Sequence, residues 1–260
     1  MLIGAEQILE LMAMYILPFA RLSGFLMTLS VIGSRNISPR FRMLLALAIT
    51  AIVVPVIPAN ETVTLFKAQT FLLVVEQTLI GVALGFVSRL MLETFVIGSQ
   101  VIAMQSGLGF ASLVDPANGN SVPALGQFFL MLTTLLFLSV DGHLIMIRLV
   151  VESFTSFPIG SSQNLSEMFF QLVSWTKWIF AAALIMALVA ISALLIVNIA
   201  FGVMTRAAPQ INVFAVGFPL TMVAGLILVW LSLSFFLPHF NGQMSRATLL
   251  VCDMIHLTCD

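Results

Sequence analysis

Long apolar stretches alternate along this chain with short polar breaks. The apolar stretches cover about 8–33, 41–59, 65–105, 124–150, 169–204 and 212–237. The breaks fall at 33–42, 58–64, 106–123, 158–167, 205–210 and from 238 onward. The stretches are continuous rather than short and alternating, which argues for helices and against a β-barrel. Six helical segments are expected. Two of them are too long for a simple crossing. Segment 65–105 has 41 residues, roughly 60 Å as one helix and about twice the hydrocarbon thickness. Segment 169–204 has 36 residues. Both are expected to break, kink or leave the bilayer.

Composition supports the membrane reading. Residues of the set AVILMFWYC make up 60% of the 260, and only 8% are charged; the mean hydropathy is +1.14. Soluble domains carry about 25% charged residues. A soluble enzyme, a disordered tail and a nucleic-acid binder are therefore excluded. The segment Met1–Glu10 contains Glu6 and Glu10 but no Lys or Arg, unlike a signal peptide, so the first apolar stretch is expected to be retained.

Segment 65–105 contains Glu76, Arg89 and Glu93, which leave uncharged runs of 12 residues at 77–88 and 94–105. Each run is too short to span. One reading is a kinked helix pair with its charges at the water interface. The favoured reading is a helix hairpin enclosed by protein, because intramembrane charges are paired or face water. Gly81 and Gly85 form a GxxxG pair that permits close backbone approach. Ala183, Ala187, Ala190 and Ala193 make a similar small-residue face. Arg35, Arg40 and Arg42 are the basic cluster, and Arg206 marks a second short basic loop. By the positive-inside rule both loops face the cytoplasm; four segments lie between them, which keeps the parity, and both termini then lie outside.

Several chemistries find no support. There is no GxxxxGK[ST] loop, and only two lysines occur, which excludes an ATPase. Ser106 and His143 do not make a protease, since no GxSxG exists and His143 follows the turn-like Asp141-Gly142. Cys252, His256 and Cys259 share a helix face but lack a fourth metal ligand. On a continuous helix the two cysteines could not meet, so no disulfide is expected. His239 and the tryptophans 175, 178 and 230 read as interface anchors. No metal or cofactor is expected.

The break at 106–123 is different. Gly107 and Gly109 free the backbone after a helix; Asp115-Pro116 and Asn118-Gly119 are turn signals. Between them lie Leu108, Phe110, Leu113 and Val114, too apolar for an ordinary solvated loop. Non-helical backbone at membrane depth is tolerated only against protein or a water-filled cavity. The loop is thus either a connector with buried anchors or a re-entrant, pore-lining element.

Residues 100–144, with the GLGFAS lead and the DPANGN turn, closely resemble the FliR family of flagellar biosynthesis proteins, the R-type subunits of type III export gates. Residues 40–48 and 206–219 agree with it, including Arg40, Arg42, Arg206, Pro209 and Gln210 in loops expected to be cytoplasmic. Residues 1–30 and 240–260 carry no useful match. The resemblance implies an all-α membrane protein of about six long, kinked helices arranged as hairpins, with a membrane topology that departs from the ordinary. It implies a P-like part at 1–165, a Q-like hairpin at 166–240 and a C-terminal tail at 241–260. It implies a non-enzymatic subunit of the inner-membrane flagellar basal body. Its partners would be P-type (FliP) and Q-type (FliQ) subunits, an FlhB-type switch protein and an FlhA-type protein. Its substrates would be unfolded flagellar proteins. The family's pore plug would fall on 106–122, covering Gly107, Leu108, Gly109, Phe110, Leu113, Asp115, Pro116, Asn118 and Gly119. Glu76, Arg89, Glu93, Gly81 and Gly85 would serve assembly. The alternatives are an injectisome T-type subunit and a small secondary transporter or channel subunit.

Overall fold

A computed structural model describes residues 5–34, 37–57, 68–110, 112–114, 121–160, 165–207 and 213–259. Its helices are α1 (Ala5–Thr28), α2 (Pro39–Val53), α3 (Ala68–Gln105), α4 (Ala124–Ser139), α5 (Gly142–Ser156), α6 (Leu165–Ala207) and α7 (Val213–Met254). One small antiparallel ladder joins β1 (Ser112–Val114) to β2 (Ser121–Pro123). The protein is an all-helical membrane protein apart from that ladder. Among the described residues, four helical stretches are long and apolar enough to cross a membrane, or five if α4 and α5, bent by 62°, count as one span.

The overlong segments do not break. Helix α3 runs through Glu76, Arg89 and Glu93 without interruption for 38 residues, so the expected hairpin within 65–105 is absent. Side-chain charge lowers hydropathy without disturbing the backbone ladder, and Gly81, Gly85 and Gly98 are tolerated inside the helix by packing. Helix α6 is likewise continuous over 43 residues. At about 57 and 65 Å, both outreach the hydrocarbon core. The break lies instead within segment 124–150, where Asp141 takes a left-handed φ of 56° ahead of α5. Aspartate tolerates that conformation better than most side chains. Helix α7 continues through residue 240 to Met254.

The chain forms two compact units, each assembled from separated stretches. The first comprises 1–90, 138–175 and 246–260. Here α1 and α3 pack backbone to backbone. A Cβ on Gly24 would lie 2.5 Å from the Thr78 carbonyl oxygen, and one on Gly81 would overlap the Arg21 carbonyl. Thr28 Oγ1 donates to Val82 O at 3.1 Å across the same seam. Leu22, Phe25, Ile80, Leu84 and Phe154 are buried around it. Helix α2 opens with Ser38 before Pro39, whose missing N–H costs nothing at a first helical position. The Arg42 guanidinium donates to the Ser34 and Ile37 carbonyls and closes the α1–α2 turn.

The C-terminal end of this unit departs from expectation. Cys252 and Cys259 form a disulfide. They do not share a helix, because α7 stops at Met254 and His256 turns left-handed at φ 53°. Leu257 N–H then donates to Cys252 O at 2.9 Å and His256 N–H to Asp253 O at 3.2 Å. That is the paired bonding of a Schellman cap, here without the glycine that would mark it in the sequence. The reversal brings the two Cα atoms to 6.1 Å, within disulfide range.

The second unit comprises 91–137 and 176–245. Phe95 and Phe236 (centroids 5.1 Å apart) and Phe129 and Phe236 (5.3 Å) form an aromatic core, with Phe240 5.9 Å from Phe95. His239, expected as an interface anchor, packs edge-on against Phe95 at 5.6 Å. The alanine face of α6 meets α3: a Cβ on Gly98 would lie 3.1 Å from the Ala183 carbonyl, and Ala187 and Ala190 are buried beside it. Elsewhere α6 and α7 present large apolar side chains outward, including Val189, Ile196, Trp230 and Phe235.

Candidate functional site

The loop between α3 and α4 is built from its root upward. At the end of α3, Ser106 is fully buried and its hydroxyl donates to Ile102 O at 2.9 Å, within its own helix. Gly225 of α7 sits so close that a Cβ there would overlap the Ser106 side chain. Gly107 then turns left-handed at φ +76°, and a Cβ on it would lie 2.9 Å from Phe218 Cε2. Glycine is required there twice over, by backbone sign and by space. Leu108–Phe110 form a single 3-10 turn. Gly109 lies within that turn, so only Gly107 of the two supplies a left-handed residue. The chain then enters β1, which returns as β2 with Ser112 opposite Pro123, Leu113 opposite Val122 and Val114 opposite Ser121.

The expected irregular apolar loop is thus a short hairpin suspended from a clamped root. Ser106, Gly107, Phe218 and Gly225 form the root, and the sequence reading had noticed only the first two as loop residues. Nothing in the spacing of Phe218 and Gly225 along α7 points to the loop; a glycine in a membrane helix facing no GxxxG partner was the one available hint. Leu108 is half-buried within the chain. Asp115, Pro116, Asn118 and Gly119 lie outside the described residues, as do Arg35, Pro209 and Gln210.

Other singled-out residues lie elsewhere. Glu76 and Glu93 are half-buried and Arg89 is exposed. Gly81 and Gly85 line the α1–α3 seam described above. Arg40 and Arg206 are exposed, and Arg42 is half-buried in its turn.

The buried charge is one the sequence reading passed over. Arg21 on α1 is 0% exposed. Its Nε donates to Gln77 Oε1 at 2.8 Å, Nη1 to Ser153 O at 2.9 Å and Ser153 Oγ at 3.0 Å, and Nη2 to Phe157 O at 3.0 Å. The guanidinium lies 4.5 Å from the Phe154 ring centroid. One cation ties together α1, α3 and the end of α5. The signal was present: Arg21 is the only basic residue in apolar stretch 8–33, and such residues are rarely idle.

Comparison with known proteins agrees with the resemblance. The profile of the family "Bacterial export proteins, family 1" matches residues 12–247. The flagellar biosynthetic protein FliR of Escherichia coli K12 is 35% identical over 253 residues, covering 97% of both chains. That of Pectobacterium carotovorum is 35% identical over 238 residues, covering 92% of this chain and 91% of its own. That of Bacillus subtilis is 28% identical over 232 residues, covering 88% and 89%. With a family match across most of its length and relatives above 30% identity covered almost end to end, this chain belongs to the FliR family of bacterial export proteins.

Proposed function

We propose that the chain is a non-enzymatic subunit of the flagellar type III export gate. In this reading it joins P-type (FliP) and Q-type (FliQ) subunits in the inner membrane, with FlhB-type and FlhA-type proteins as further partners. The assembly passes unfolded flagellar proteins, and the loop at 106–122 closes the channel. Residues 1–165 act as the P-like part and 166–240 as the Q-like hairpin, with 34–42 and 205–211 facing the cytoplasm. The matched relatives cited above all carry flagellar names, which favours the flagellar gate over an injectisome T-type subunit.

The observation that carries the plug reading is the loop's construction. The hairpin follows a root packed against Phe218 and Gly225, and Gly107, left-handed at that root, is where the backbone could turn aside. Leu108, Phe110 and Leu113 together would exclude water from a narrow lumen, the dewetting kind of gate. No single side chain is then indispensable. Deleting 107–122 is expected to leave assembly intact and make the membrane leaky to ions and small solutes, read as conductance or solute uptake in cells expressing the assembled gate. A tight membrane around a normally assembled deletion complex would mean the loop is a connector.

A further inference from the structure

We propose that Cys252 and Cys259 are a site of oxidative modification: an envelope dithiol oxidase closes them into a disulfide on the outer face of the membrane. Three observations converge on this. The helix cap at 252–257 folds the chain back on itself, and this fold-back, not helical spacing, brings the cysteines together. Bacterial disulfides form and persist outside the inner membrane, whereas the cytoplasm keeps thiols reduced. Independently, the positive-inside reading puts Arg206 on the cytoplasmic side, and one apolar stretch, 212–237, lies between it and the two cysteines in the chain. A single crossing then leaves Cys252 and Cys259 on the outer side. The orientation rests on the membrane reading above and is independent of the export activity.

The closed turn is docked. The His256 ring stacks on Phe157, centroids 6.4 Å apart and planes 15° off parallel, and the Phe157 carbonyl is an acceptor of Arg21. Oxidation therefore fastens the end of α7 against the residue that closes α5. In the step itself, one cysteine thiolate attacks the oxidase disulfide and forms a mixed disulfide; the second attacks that bond. Two protons leave the cysteines, and two electrons reduce the oxidase to its dithiol.

The test uses the full chain co-expressed with its partner subunits. Cells are quenched in acid, and the denatured chain is reacted with polyethylene-glycol maleimide with and without prior reduction. The expected result is no added polymer before reduction and two after it. In a strain lacking the envelope dithiol oxidase, two are expected without reduction; a disulfide retained there would overturn the assigned oxidant. Cys252→Ser and Cys259→Ser single variants should each take one polymer unreduced, which establishes that each remaining thiol reacts. Two polymers on the unreduced wild-type chain would overturn the proposal. Orientation is read separately, with Thr258→Cys in a Cys252→Ser, Cys259→Ser background and a membrane-impermeant maleimide. Labelling is expected with the inner membrane intact; labelling only after it is opened would overturn the placement. None of these readouts involves flagellar export, so their failure would leave the gate reading standing.

Discussion

At the scale of single residues, Arg21 shows how a charge can be held inside this protein. Its four hydrogen bonds all go to neutral acceptors, and the Phe154 ring face lies close to the guanidinium. Only a planar fork of donors reaches Gln77, Ser153 and Phe157 at once, so lysine is not an equivalent. Arg21→Met keeps much of the length but strands the acceptors. It is expected to destabilise the chain by about 1–3 kcal/mol for each buried acceptor left unpaired. Arg21→Lys should cost about 1–3 kcal/mol, the range for leaving buried acceptors unpaired. Denaturant titration of the purified complex, followed by tryptophan fluorescence, measures both. A methionine variant as stable as the wild type would mean the cluster is incidental.

At the scale of elements, the glycines separate into two classes by what surrounds them. Gly81 lies where a side chain would strike the backbone of α1, while a Cβ on Gly202 would meet nothing within 4 Å. Gly81→Ala must push two helices apart and should destabilise by about 1–3 kcal/mol. Gly202→Ala should stabilise by about 0.5–1 kcal/mol through helix propensity. The same titration of the purified complex distinguishes the two, and equal effects would show that the seam is not tightly packed. This contrast also marks what the sequence could disclose. The apolar stretches and the odd character of 106–123 were legible, because burial in lipid leaves a composition that nothing else explains. Helix continuity was not legible: Glu76, Arg89 and Glu93 looked like breaks, yet side-chain polarity does not interrupt backbone hydrogen bonding. The bend at Asp141 had a local signal in Asp141-Gly142, but it was outweighed by the apolar run around it. The loop root was hidden because Phe218 and Gly225 lie more than 100 residues from Gly107 in the chain, and one sequence does not record which distant residues touch.

At the scale of the whole molecule, the outward side chains of α6 and α7 call for neighbours or lipid. Val189, Ile196, Trp230 and Phe235 are each at least 69% exposed, and together with helices longer than the bilayer they suit packing against other proteins beyond the membrane plane. Expressed alone, the chain is expected to aggregate on detergent extraction. Co-expressed with P-type and Q-type subunits, it should enter one large complex in a single copy, as counted by native mass spectrometry. A stable homo-oligomer formed in the presence of those subunits would remove the gate reading.

The β1–β2 ladder places an unequal constraint on how this loop can change length. Residues 115–120 connect two strands whose register is already set by Val114 opposite Ser121. Lengthening the connector adds only loop-closure entropy, about 0.6 kcal/mol for each doubling. One residue added inside 112–114 is another matter, because a single-step slip shifts every backbone pairing of the ladder. An insertion between the strands is therefore expected to leave the ladder paired, while one within 112–114 is expected to disrupt it.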